Sequence, residues 1–178
     1  MFKKPFPHPQ KSKLKSSAQR AIRQRIATEF PLLAPHLDFI IPKKSQLDVL
    51  KLPDRISLYS LDGQVLFFQH FDDQLIPHLR IVHQYPDCFP IIQTDRGATR
   101  FILKGAHLMC PGLTSAGAKM VDGLEKGAVV GVKGEGKENA CLVGIMKMTS
   151  EEIARINDGV GVEACHYLGD HLWKYVGE

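Results

Sequence analysis

The sequence predicts an α+β fold in two units: an N-terminal α+β domain over residues 1–90, then a small β-barrel with flanking helices over residues 91–178. Three observations predict it. In the first half a helical stripe, apolar at Ala18, Ile22, Ile26 and Phe30, is followed by a hairpin signal, Asp62-Gly63, between two apolar runs. All glycines except Gly63 and Gly97 lie at or beyond Gly105, where Gly-rich turns separate short apolar runs. Pro86 and Pro90 bracket a linker between these two textures.

The elements follow in order. Residues 1–13 carry Pro5, Pro7, Pro9 and several charges, which cannot build a core, so residues 1–15 are expected to be extended or flexible. A helix starts near Ser16 or Ser17, either a suitable N-cap, and Pro31 stops it. Arg20 and Arg23 lie off its apolar stripe and face solvent or a partner. A second helix is predicted over 33–40, strands over 47–52, 56–60 and 64–68, and a helix over 77–84 with Pro77 in its first turn. In the second half, strands are predicted over 91–94, 107–109, 128–132, 140–146 and 160–167. A helix over 150–157 begins at Thr149, with Glu152 completing a capping box.

Composition narrows the function classes. The chain has 178 residues, 44% apolar and 24% charged, enough for a core and wrong for a disordered chain. No apolar run approaches the ~20 residues of a spanning helix, and no apolar segment follows the basic start as in a signal peptide. The chain is expected to be cytoplasmic, with no membrane partner. Charge is unevenly spread. Residues 1–25 hold eight Lys and Arg and no acid, leaving 15 basic against 19 acidic residues in the remainder. Such an arm suits phosphate backbones or an anionic lipid surface, or is a solubilising tail. Its candidate phosphate contacts are Lys11, Lys13, Lys15, Arg20 and Arg23. Cys88, Cys110, Cys141 and Cys165 are 22, 31 and 24 residues apart, without the close pairs of a zinc site. They read as buried small apolar residues in a reducing compartment, with no metal and no cofactor.

Catalytic patterns fail in specific ways. Gly131 to Glu138 nearly spells a phosphate-binding loop, but Glu138 stands where a magnesium-binding Ser or Thr belongs and would repel a triphosphate. Gly112-Leu113-Thr114-Ser115-Ala116-Gly117 is one residue too long for a nucleophile elbow. Single histidines such as His166 read as structural groups. No acid, base and nucleophile assemble, so the chain is expected not to be an enzyme.

One segment asks for a partner. Asp95 can cap a helix that Gly105 ends, with Ala98, Phe101 and Ile102 as its inward face. Arg96, Arg100 and Lys104 then recur at i, i+4 and i+8 on the outward face. Like charges at that spacing cost ~0.2–0.5 kcal/mol per pair, and Arg96 sits at the wrong end of the helix dipole. An anionic partner explains such a stripe better than folding does, although a solvated helix face is the plain alternative. The small side chains at Gly105-Ala106 would let a nucleotide approach, and single-stranded or terminal RNA is the natural target.

The blocks Met1-Phe2-Lys3-Lys4, Ile41-Pro42-Lys43-Lys44, Asp62 to Phe68, Asp95-Arg96-Gly97-Ala98 and, most specific, the fourteen residues from Gly105 to Ala118 resemble the malignant T-cell-amplified sequence family. Its fungal members are known as translation machinery-associated proteins. Gly144 to Met148 and His166 to Asp170 continue the likeness, which spans nearly the whole chain. The resemblance implies a PUA domain, the RNA-binding module named after pseudouridine synthases and archaeosine transglycosylases, behind the N-terminal domain. It implies RNA-binding residues among Arg96, Arg100, Lys104, Gly105, His107 and Lys119, with His107 where relatives commonly carry Asn. It also implies a heterodimer with density-regulated protein on the small ribosomal subunit, touching rRNA and the acceptor end of tRNA. There the pair promotes release of deacylated tRNA, recycling and reinitiation. Two other readings are a targeting protein for RNA modification and an adaptor without RNA contact. Nothing in the sequence marks where a partner docks.

Overall fold

Helix α1 spans Ser16–Glu29 with Ile22 and Ile26 buried, and Pro31 opens a 3-10 turn over Pro31–His36. These coordinates come from a computed structural model that describes residues 1–177. Neither Ser16 nor Ser17 caps α1; its N-cap is Lys15, with no side-chain hydrogen bond. The single helix predicted over 33–40 is divided, the 3-10 turn passing into a short α2 at Leu37–Ile40. Pro35 lies inside the turn and has no N–H to donate to an α-helical ladder.

The first sheet is an antiparallel meander of β1 (Gln10–Lys13), β2 (Asp48–Leu52), β3 (Ile56–Leu61), β4 (Gln64–His70) and β5 (Ile76–Pro77), paired in that order. Asp62 and Gly63 take φ of 51° and 80°, as a tight hairpin between twisted strands requires. Pro77 belongs to β5 and not to a helix. The following α3 (Leu79–Gln84) starts at His78, whose Nδ1 accepts the Arg80 N–H at 3.0 Å.

The second sheet contains β6 (Ile91–Thr94), β7 (Leu108–Met109), β8 (Val129–Gly134), β9 (Ala140–Met146) and β10 (Val160–Tyr167), in spatial order β6-β8-β9-β10-β7. The β6–β8 pairing is parallel and the others are antiparallel, so the sheet is mixed. Its core holds Ile92, Val130, Leu142 and Val162. Three helices close that core: α4 (Arg96–Ile102) through Ile102, α5 (Pro111–Thr114) through Leu113 and α6 (Ser150–Ile156) through Ile153. Both arms of the Thr149–Glu152 capping box are present. A last turn of helix, α7 (His171–Lys174), is capped by Asp170. Strand β9 serves two cores: Leu142 and Met146 point into the second sheet, whereas Val143 packs with the N-terminal domain.

Residues 1–15, expected to be extended or flexible, run extended against the rest of the chain. Gln10–Lys13 add β1 to the edge of β2. Phe2 is only 1% exposed, and its carbonyl accepts the His171 N–H at 3.0 Å. Its ring meets Phe68 at 5.0 Å and His166 at 6.3 Å, both edge-on. A segment with no core of its own joins one supplied by distant residues.

Phe2 sits in a clasp between the two sheets. His166, fully buried, is held through Nδ1 by Asp170 at 2.8 Å, and the His78 ring lies 4.7 Å from its ring. His78 stacks on Trp173, and the Arg80 guanidinium lies over the same tryptophan, 4.1 Å from its ring centroid. Burial drives the His78 pKa down to about 3, helped by the neighbouring His166 and Arg80. Burial also lowers that of His166, against the hydrogen bond it donates to Asp170. Both rings are therefore neutral at pH 7. Between about pH 6.5 and pH 3 the unfolded chain binds protons that folded His78 refuses, so stability falls with falling pH across that window. His78 alone is expected to cost about 2 kcal/mol between pH 7.5 and pH 5. Urea unfolding at the two pH values checks this, and His78→Gln should flatten the difference. An equal difference in wild type and variant would show that His78 is not its source.

Cys110, Cys141 and Cys165 are buried, and burial pushes the Cys141 and Cys165 thiols up to about 11 and about 12. Cys88 is only half-buried, because it lies in a 3-10 turn at the linker, with Sγ 3.3 Å from the Leu32 carbonyl. Among the described residues no helix is long and apolar enough to cross a membrane, and no three His, Cys, Asp or Glu side chains converge on a possible metal position.

Candidate nucleic-acid interface

The candidate site is built on α4 and the turn that follows it. Asp95 caps the helix as predicted, Oδ1 accepting the Ala98 N–H at 2.7 Å. Its other oxygen accepts from the Ser115 hydroxyl, and the Thr94 hydroxyl donates to the Gly112 carbonyl at 2.8 Å. The start of α4 is thereby stitched to α5. At the far end Gly105, with φ of 90°, closes a Schellman turn: its N–H reaches the Ile102 carbonyl and that of Ala106 reaches Phe101.

Two features of the predicted stripe change. The helix ends at Ile102, so Lys104 lies in the closing turn and not on a third helical turn. Phe101 is not on the inward face; it is 52% exposed. Ala98 and Ile102, one turn apart, take the buried centre and leave Phe101 on its flank. The exposed ring has a use, because the Arg100 guanidinium lies 4.9 Å from its centroid. Such a cation–π contact fixes an arginine that the spacing alone would leave free. Arg96 is exposed, and its N–H donates to Glu135 Oε2 at 3.1 Å, placing an acid beside the helix N-terminus where Arg96 itself is unfavourable.

His107 is exposed and anchored. Its Nδ1 accepts the Ala164 N–H at 2.9 Å, where the β10 register shifts between Ala164 and His166. The neutral imidazole therefore carries its proton on Nε2, as a donor. Gly105 is not the open approach that its small size suggests, because the side chain of Lys3 covers it. Lys119 is exposed and lies along β6, exchanging backbone hydrogen bonds with Gln93 at 2.8 and 3.0 Å.

Beside α4 the chain leaves a groove of about 670 Å³, which the sequence reading missed. Ala98, Phe101, Ala106, His107, Met109 and Ser115 line it. Met109 is 47% exposed, so two large apolar side chains face solvent together with the His107 imidazole and the Ser115 hydroxyl, which donates to the Asp95 carboxylate at the groove edge. Apolar faces with a few polar groups accept an unstacked base, while Arg100, held on the Phe101 ring, suits its phosphates. The signal was present in Phe101 and Met109, but the helical pattern and the strand pattern both assigned such residues to the core.

The arm residues occupy other elements. Lys11 and Lys13 lie on β1, with Lys11 3.5 Å from Asp48, and Lys15 precedes α1. Arg20 is exposed and lines a polar cleft with Lys43, Ser16 and Ser45. Arg23 is engaged within the chain. It donates to the Ile41 carbonyl and pairs with Asp38 at 2.7 Å, its side chain only 18% exposed, and so fastens α1 to α2.

Residues 2–86 match the Pre-PUA-like domain model and residues 90–168 the PUA domain model. Translation machinery-associated protein 20 of Saccharomyces cerevisiae is 48% identical over 167 residues, covering 93% of this chain and 92% of that protein. The chain belongs to the family of translation machinery-associated and malignant T-cell-amplified sequence proteins. In that family, malignant T-cell-amplified sequence 1 of Rattus norvegicus is 40% identical over 160 residues, 90% of this chain and 87% of the rat protein. A conserved PUA domain protein of Thermoplasma acidophilum has the same architecture, with a TM-score of 0.66 and 25% identity over 93% of this chain and 98% of its own. The α4 turn, Gly105, His107 and the groove all lie inside the span that matches the PUA model.

Proposed function

We propose that this chain is a non-enzymatic, RNA-binding subunit of the cytoplasmic translation machinery. It acts with a density-regulated-protein partner on the small ribosomal subunit, where it supports release of deacylated tRNA, recycling and reinitiation. The observation that carries the reading is the groove beside α4, apolar along Phe101 and Met109, with the Arg100 guanidinium on the Phe101 ring. It suits an unpaired nucleotide, such as those at a tRNA acceptor end, more than a duplex. Relatives named for the translation machinery and the PUA match support the same direction. The non-enzymatic reading has its own support. Among the described residues the one buried histidine–carboxyl pair, His166 with Asp170, is shut in by Phe2, Phe68 and His78, where no substrate could reach it.

The test is sedimentation with purified small ribosomal subunits over a salt series, with and without the partner. Each phosphate contact contributes a log–log salt slope of ~0.7 on a single strand and ~0.9 on a duplex. Changing Arg96, Arg100 and Lys104 together to Glu should weaken binding and flatten the slope by roughly 2–3 units. Stability should hold, since Glu at position 96 suits the helix dipole. A folded triple variant with unchanged affinity and slope would leave the stripe a solvated face and remove the basis of this reading.

A further inference from the structure

The Lys3 side chain crosses from the N-terminal segment to the PUA domain. Phe2 fixes the backbone just before it, with its ring in the clasp and its carbonyl bonded to the His171 N–H. From that anchor the Lys3 stem runs over Gly105. A Cβ added to Gly105 would lie 3.0 Å from Lys3 Cδ and 3.2 Å from both Cγ and Cε. Gly105 is thus constrained twice, by its φ of 90° and by this close packing. The packing lays the methylenes of an exposed lysine against the glycine. Among the described residues no carboxylate lies within 4.0 Å of the Lys3 amine. A lysine stem held against the glycine that follows Lys104 in the chain, with its ammonium unpaired, lacks only an anion. Ordering a lysine costs rotamer entropy, and here no ion pair within the chain offsets it.

We infer that Lys3 is a nucleic-acid contact of the PUA face: its ammonium takes a phosphate of the same strand that passes Arg100 and Lys104. The inference rests on the reading of the α4 face as the RNA site, and it makes that site a composite of both domains. The clasp around Phe2 then has a functional consequence, because it sets where the Lys3 charge is presented.

The test compares Lys3→Met, Lys3→Arg and Arg100→Glu in sedimentation with purified small ribosomal subunits over a salt series, with thermal unfolding alongside. Methionine keeps an apolar stem over Gly105 and removes only the charge. Lys3→Met should bind roughly fourfold more weakly at about 0.15 M salt, the factor that a slope lower by ~0.7 implies relative to 1 M. Its melting temperature should be unchanged, and Lys3→Arg should bind like wild type. If Arg100→Glu weakens binding while Lys3→Met matches wild type in affinity and slope, Lys3 only packs, and the inference fails with the α4 reading intact. If neither variant changes binding, the α4 reading fails and the inference falls with it. A lower melting temperature for Lys3→Met with unchanged affinity would likewise assign Lys3 a packing role and overturn the inference.

Discussion

Asp170→Ala is expected to lower the free energy of unfolding by about 3–5 kcal/mol, because it strips the carboxyl group from a sealed site. Asp170 is 1% exposed and accepts three hydrogen bonds: from His166 Nδ1 at 2.8 Å, the Tyr167 N–H at 2.9 Å and the Trp173 N–H at 2.8 Å. Alanine leaves all three donors without an acceptor. Each buried donor left unpaired costs about 1–3 kcal/mol, and the loss of the α7 cap falls within that sum. His166 cannot compensate, since its Nε2 already lacks a partner. For a chain of this size about 2–4 °C of melting temperature accompanies each kcal/mol, so a fall of roughly 6–20 °C is expected by calorimetry. Asp170→Asn, which keeps one acceptor oxygen, should fall between wild type and alanine. A loss under about 1 kcal/mol for the alanine variant would show that the site reopens to water at little cost, and that the clasp is weaker than its geometry implies.

Phe2→Ala is expected to cost about 3–5 kcal/mol, the range for removing a buried phenyl ring from a packed core. The ring fills the space between Phe68 of β4 and His166 of β10, with Phe6 6.0 Å away. Of residues 1–15 only Phe2 and Pro9 are buried, and Phe2 is the one aromatic ring among them that is only 1% exposed. The two substitutions share His166, so their effects should not add. A double-mutant cycle should show a coupling of about 0.5–3 kcal/mol, as for residues in one network. Denaturant unfolding of the four proteins measures it. If Phe2→Ala costs less than about 1 kcal/mol, residues 1–15 behave as the loose arm that their composition suggests, and their ordering contributes little.

At four turns and caps whose partners lie within a few residues, the sequence by itself determined the outcome, although the expected Ser16 or Ser17 cap of α1 did not form. The Asp62-Gly63 turn, the Asp95 cap, the Thr149 capping box and the Gly105 stop all form as read, because each satisfies backbone groups next to it in the chain. The α1 stripe was legible for the same reason, and the fourteen-residue block from Gly105 to Ala118 carried the family. Tertiary structure alone decided the rest. Phe101 and Arg100 formed a pair only once Ala98 and Ile102 had taken the buried face of a short helix. Arg23, read as an outward cation, became a fastener because Asp38 and the Ile41 carbonyl came to it across a 3-10 turn. Residues 1–15, with neither periodicity nor apolar density, gained order from β2, Phe68 and His166. Local pattern records the hydrogen bonds a segment can make with itself. It holds no record of a core or a charge brought to that segment by residues far along the chain, and Lys3 came to lie over Gly105 through just such a meeting.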